Sequence, residues 1–229
     1  RRTHPTPGAP QRQVDREPLS MAAATHLVLL VEEPSMEAFL HALLPRLMPA
    51  RRTFEIHPFQ GKDDLMAKLE ARLRAYAQWL PEDWRVLVIV HRDDEDCQAL
   101  KAKMDDIGPR AGLLTRSQAA TEGQPAWQLA NRIAIEELEA WYFGDWPAAQ
   151  AVHPKLPAGI PKSRGYRDPD AIAGGTCEAF ERVLQRHGYA KAGLAKIQTA
   201  RAIGGHIDPG RSRSPSFLVF YAALVEAWA

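Results

Sequence analysis

Three acidic clusters and one histidine are the residues of this chain best suited to chemistry. They are Glu32-Glu33, the run His91-Arg92-Asp93-Asp94-Glu95-Asp96, and Glu136-Glu137 with Glu139. Carboxylate oxygens are hard donors and suit Mg2+ or Mn2+. Packed closely they repel one another, and a divalent cation relieves that cost. Taken singly, an acidic residue at a helix start is more often a cap or a solvated side chain, because the helix dipole favours it there. The case for a metal therefore turns on whether the clusters share one edge of the fold.

The elements around them predict that they do. His26–Val31 is a continuous apolar run that fits a buried parallel strand. Ser35 is expected to cap a helix with Met36, Phe39, Leu40, Leu43 and Leu44 inward, ending near Pro45 or Pro49. Thr53–Pro58 reads as a second strand and Leu65, Leu69, Leu73 and Tyr76 as a second helix. Arg85–Val90 is the clearest strand, followed by a helix through Cys97, Leu100 and Met104 that closes at Gly108-Pro109. Residues 111–125 read as a loop, and a fourth strand is expected within Trp127–Ile135. Strand–helix alternation predicts a parallel sheet with right-handed crossovers. Ligands bind beyond the carboxyl ends of such strands. Glu32, Asp93 and Glu137 all fall there. A helix over residues 136–143 is expected to end at Gly144-Asp145. Residues 146–176, with five prolines and four glycines, should be mostly irregular. Helices are expected over Cys177–His187, Leu194–Ile203 and Ser216–Trp228.

The 229 residues, 45% hydrophobic and 25% charged, describe a folded chain rather than a disordered or fibrous one. Its longest apolar stretch is far below the roughly 20 residues of a membrane helix, so no membrane association is expected. The first twenty residues carry no apolar run of the kind a secretory leader needs. Residues 1–23 are expected to be a disordered tail or an expression remnant, with the true start near Met21. Two cysteines point to a reducing cytoplasm. Cys97 and Cys177 lack zinc-site spacing and are expected in the core, as is Trp141-Tyr142-Phe143. Gly174-Gly175 lacks a dinucleotide-binding context.

The net charge of +1 conceals an asymmetry. Residues 1–150 hold 18 Lys/Arg against 22 Asp/Glu, and residues 151–229 hold 11 against 6. An acidic part beside a basic part suits a metal site facing a polyanion. Lys62, after a glycine on the expected ligand edge, is placed to meet phosphate. The segment with Lys162, Arg164, Tyr166 and Arg167, and a second with Arg211 and Arg213 joined by Lys196 and Arg201, could follow a nucleic-acid backbone. Each is equally readable as a solvated surface.

Val31-Glu32-Glu33-Pro34-Ser35-Met36-Glu37 and His91-Arg92-Asp93-Asp94-Glu95-Asp96-Cys97 resemble the Toprim pattern, a glutamate after the first strand and Asp-x-Asp after the third. Glu137–Trp141, Gly144-Asp145 and Ser214-Pro215-Ser216-Phe217 resemble the bacterial Toprim-like family DUF4276. The resemblance covers residues 26–222. It implies a Rossmannoid α/β three-layer sandwich over residues 24–145, with a mainly parallel sheet and a C-terminal helical extension over 146–229 packing on the same domain. Glu32 matches the family glutamate and Asp93 the second aspartate. The first aspartate falls on His91, a poor Mg2+ ligand, so that Asp94 or Asp96 takes its place, the metal preference changes, or the site has decayed. Glu33 stands where many Toprim proteins have glycine. Glu137 and Glu139 resemble carboxylates that hold a second ion.

The function this implies is metal-dependent phosphodiester cleavage in DNA or RNA. Glu32, Asp93 and Glu137 would be catalytic, with Mg2+ or Mn2+ as cofactor. No tyrosine stands out as a covalent nucleophile, which favours hydrolysis. Relatives suggest an anti-phage effector working with an AAA or SMC-like ATPase, and self-association as a homodimer. The alternative is a catalytically inactive subunit that binds nucleic acid or the ATPase. A third class is another phosphoryl-transfer enzyme.

Overall fold

The computed structural model describes residues 23–93, 95–135 and 137–229. The expectations for the first 22 residues, for Asp94 and for Glu136 lie outside them. Four parallel strands form one sheet: β1 (His26–Val31), β2 (Thr53–Pro58), β3 (Trp84–His91) and β4 (Leu129–Ala134), in the order β2-β1-β3-β4. The two inner strands are apolar on both faces because both faces are covered. Leu27, Leu29, Val31, Leu87 and Ile89 point into one core and Val28, Leu30, Val86, Val88 and Val90 into the other. Residues two apart share a face of a strand, so these sets are the period-two pattern of a three-layer sandwich.

The second core is completed by α2 (Lys62–Tyr76) and α3 (Cys97–Ala111). The first is larger. It takes in α1 (Pro34–Leu47), α5 (Glu139–Gly144), α6 (Trp146–Val152), α7 (Thr176–Arg186), α8 (Lys196–Gly204) and α9 (Pro215–Trp228). Residues from the C-terminal segment thus share one hydrophobic interior with β1 and α1. Trp141, Tyr142 and Phe143 lie within it, ringed by Phe39, Phe180, Phe217 and Phe220.

Several local expectations are corrected. Ser35 is not the cap of α1. Pro34 occupies the first helical position, where its fixed φ and missing N–H suit it, and the helix therefore begins two residues earlier, after Glu33. Ser35 donates instead to the Glu33 carboxylate at 2.6 Å. Helix α3 does not close at Gly108-Pro109 but runs on to a left-handed Gly112 at φ 91°. A side chain at Gly108 would collide with Thr115, so the glycine serves close packing rather than termination. The expected loop over 111–125 contains α4 (Arg116–Glu122), started by Thr115, whose hydroxyl accepts from Gln118 N–H at 3.1 Å. The expected irregular segment contains α6 and two short 3-10 turns, Ile160–Lys162 and Pro169–Ala171, each helped by a proline at its start.

Among the described residues no helix is long and apolar enough to cross a membrane.

Candidate functional site

Adjacent parallel strands carry their following residues to one edge. Val31 pairs with Ile89 and His91 with Ala134, so the ends of β1, β3 and β4 are side by side. Glu32 and His91 meet there. The Glu32 carboxylate accepts the His91 backbone N–H at 2.9 Å and lies 3.4 Å from its Nδ1. Burial opposes both charges, but the pair overcomes it. Glu32 is held below the usual carboxylate range by His91, with help from Lys62. His91 is raised by Glu32, Glu33 and Glu139.

On one flank, Lys62 begins α2 and reaches the loop after β3. Its Nζ is 2.9 Å from the Arg92 carbonyl, 3.2 Å from Asp93 Oδ2 and 2.7 Å from Glu95 Oε1. Asp93 sits at φ 51°, a left-handed conformation that aspartate tolerates better than most residues. Asp96 is used locally: its side chain caps α3 by accepting from Ala99 N–H at 2.7 Å.

On the other flank three helix starts converge. Glu139 opens α5 and is 4% exposed. Cys177 lies at the start of α7, where its backbone N–H donates to Glu137 Oε2 at 2.8 Å. The Thr176 hydroxyl donates to the same oxygen at 3.4 Å. Lys196 opens α8 with its Nζ 3.9 Å from Glu137 Oε1, and its charge is also favoured by Glu139 and by the Cys177 thiol. Ligand atoms of Glu137, Glu139 and Cys177 all lie within 4.8 Å of one another. Burial, with Glu137 adding repulsion, pushes Glu139 up to about 7 against the partial relief of Lys196. Burial and Glu139 push the Cys177 thiol up to about 12. Lys196 is raised despite desolvation by Glu139, Cys177 and Glu33.

The expected acidic groups therefore gather as two flanks of one edge, linked by the charge of His91 on Glu139. Cys177 and Tyr142 join them without having been assigned there by the sequence. Cys177 is buried as expected but at the site, whereas Cys97 is only half-buried. The Gly174-Gly175 pair just before α7, both at positive φ, marks the sharp entry that delivers Cys177. Of the basic residues, Lys62 and Lys196 are at the edge. Arg211 is held by Asp145, with Nε 2.9 Å from Oδ1 and NH2 3.0 Å from Oδ2. Lys162, Arg164, Arg167 and Arg213 are exposed.

No curated protein matches the chain. Two solved structures are similar to it. The C-terminal region of the Burkholderia pseudomallei OLD protein has a TM-score of 0.43 and 11% identity, covering 88% of this chain and 96% of that one. The C-terminal region of the Xanthomonas campestris pv. campestris OLD protein has a TM-score of 0.43 and 12% identity, covering 89% and 94%. The domain-of-unknown-function family DUF4276 matches residues 31–225, and the chain belongs to that family.

Proposed function

We propose that this edge binds a divalent cation and hydrolyses phosphodiester bonds in nucleic acid. The observation that carries the reading is the set of carboxylates from the ends of three adjacent strands, with the Glu137, Glu139 and Cys177 donors inside one 4.8 Å group. The residues fit a cation. His91 Nε2 is buried at the same edge and, among the described residues, has no hydrogen-bond partner. Buried acidic groups with too little compensating charge favour an added cation.

Glu137 with Glu139 would hold one ion; Glu32, now paired with His91, and Asp93, now paired with Lys62, would take part in a second only after leaving those partners. A bound cation offsets negative charge on phosphate oxygens and makes the attacking water more acidic. The chain supplies the rest. Lys62 and Lys196 can hold phosphate oxygens once they leave their carboxylates. The exposed Lys162, Arg164, Arg167 and Arg213 can follow the polyanion. The Toprim resemblance extends the proposal to a defence effector dependent on an AAA or SMC-like ATPase.

One observation favours the inactive-subunit alternative. Lys62 on Asp93 and Lys196 on Glu137 already place internal cations against two of the carboxylates. The test is purified protein with plasmid, single-stranded DNA and RNA under Mg2+, Mn2+ and Zn2+, with and without an ATPase encoded beside it. Cutting that disappears in both Glu32→Ala and Asp93→Ala is the expected result. Substrate left intact in every mixture, beside salt-dependent binding, assigns the protein to the alternative.

A further inference from the structure

We propose that Cys177, with Glu137 and Glu139, forms a thiolate-containing site for a borderline divalent cation of the zinc class, and that Lys196 is the removable side chain occupying it. This deepens the cation-binding reading by naming the class of ion, and it does not depend on catalysis.

The donor set comes first. Two carboxylates alone would leave the choice open among Mg2+, Mn2+ and Zn2+. A cysteine sulfur in the same group changes that, because soft thiolate favours zinc-like ions whereas Mg2+ takes oxygen. Three protein ligands with a fourth position open is the arrangement of zinc sites that do chemistry. Ligand atoms around tetrahedral zinc are about 3.5 Å apart, given Zn–S near 2.3 Å and Zn–O near 2.0 Å. In the present structure the three donors lie within 4.8 Å of one another, so each must move inward by about 1 Å to reach that spacing.

A second observation is independent of the acidic cluster. The Tyr142 hydroxyl is fully buried, the residue being 1% exposed, and among the described residues it has no hydrogen-bond partner. The charged and polar groups that act on it are Glu139, Glu33 and Cys177. A buried hydroxyl without a partner costs about 1–3 kcal/mol. A hydrated ion bound among these neighbours would supply the missing partner.

Access is provided by Lys196. Its side chain is 43% exposed, although its ammonium faces Glu137 and the Cys177 thiol. It can swing into solvent without disturbing α8. When the cation enters, the Cys177 S–H bond breaks, its proton goes to solvent, and the sulfur electron pair forms the metal–sulfur bond. No redox change is involved. The unattached ammonium and the incoming ion compete for the same carboxylates, so removal of the lysine charge should tighten metal binding.

Co2+ is the probe, because thiolate bound to it gives a charge-transfer absorption that oxygen ligands do not. Metal-stripped full-length protein is titrated with Co2+, then with Zn2+ or excess Mg2+. The expected result is a sulfur-to-cobalt band that saturates near one ion per chain, is removed by Zn2+ and survives Mg2+. Cys177→Ser abolishes the band and Cys97→Ser keeps it. Lys196→Gln tightens Co2+ binding about tenfold, as expected for one competing charge near the ion. Thermal melts of both cysteine variants establish that they fold, and Glu137→Gln, which leaves the thiol in place, should weaken the band if Cys177→Ser does not fold. Co2+ binding without the band, or a band that persists in folded Cys177→Ser, overturns the inference and leaves the cation-binding reading intact. The absence of any Co2+ or Zn2+ binding overturns the inference, and only the absence of Mg2+ and Mn2+ binding as well overturns the cation-binding reading.

Discussion

The Glu32 carboxylate grips His91 at two points, the backbone N–H at 2.9 Å and the imidazole Nδ1 at 3.4 Å, with both side chains nearly buried. His91 is therefore a counter-ion for the glutamate that follows the neighbouring strand. Charge at this edge is balanced in part by the protein itself.

Replacing His91 with Asp removes that counter-ion and adds a second carboxylate. Loss of one partner of a buried pair costs about 3 kcal/mol. In chelator the His91→Asp variant should lose about that much stability in urea unfolding, and Mg2+ should restore most of it. The same variant should cleave nucleic acid with Mg2+ if His91 sets the metal preference. Equal stability of variant and native protein in chelator would show that the pair contributes nothing.

Glu139 gives a pH signature. Its folded-state pKa is about 7 against the usual 4.5. Between those values the folded protein holds a proton that the unfolded chain has released, so stability falls as pH rises from about 4.5 to about 7. Glu139→Gln cannot ionise. Without metal it should be the more stable protein at pH 8, by about 3 kcal/mol, and should lack this part of the slope. Urea midpoints across that range check the prediction, and a native-like slope in the variant would sink it.

Arg211 separates fold from ligand binding. Asp145 is fully buried and accepts two bonds from Arg211 and one from the Asp208 N–H at 2.7 Å. Arg211→Ala strands that carboxylate and should cost roughly 2–3 kcal/mol. Exposed Arg213→Ala should leave stability within about 0.5 kcal/mol. If this surface follows nucleic acid, Arg213→Ala should instead reduce the salt dependence of binding. A native melting curve for Arg211→Ala would remove its structural role.

The sheet was legible because its inner strands are covered on both faces and so are continuously apolar, as Leu27–Val31 and Val86–Val90 show. The edge was legible for the same reason: parallel pairing carries Glu32 and His91 to neighbouring places. Helix α4 was not, because Arg116–Glu122 is short and polar and buries only Ala119. Cys177 was not legible as a site residue. Its neighbours Glu137 and Glu139 are far away in sequence, so its only local trace is the Gly174-Gly175 turn before α7. Lys196 was read as a phosphate contact, whereas the docking of α8 turns it onto Glu137 and Cys177.

That docking depends on Gly204. A Cβ there would stand 2.6 Å from the Phe39 carbonyl oxygen, 3.1 Å from the Phe39 ring and 3.3 Å from Ala42. The first neighbour is backbone inside α1 and cannot rotate away, so α8 must shift outward. Overpacking of this kind costs about 1–3 kcal/mol. Better helix propensity of alanine returns up to about 1 kcal/mol. Gly204→Ala should therefore lose about 1–2 kcal/mol in urea unfolding. Because Lys196 lies at the other end of the same helix, the shift should also loosen its contact with Glu137, now 3.9 Å. Lys196 should then be modified faster by an amine-reactive reagent in Gly204→Ala than in the native protein. Unchanged stability together with unchanged Lys196 reactivity would mean that α1 and α8 are not closely packed in solution.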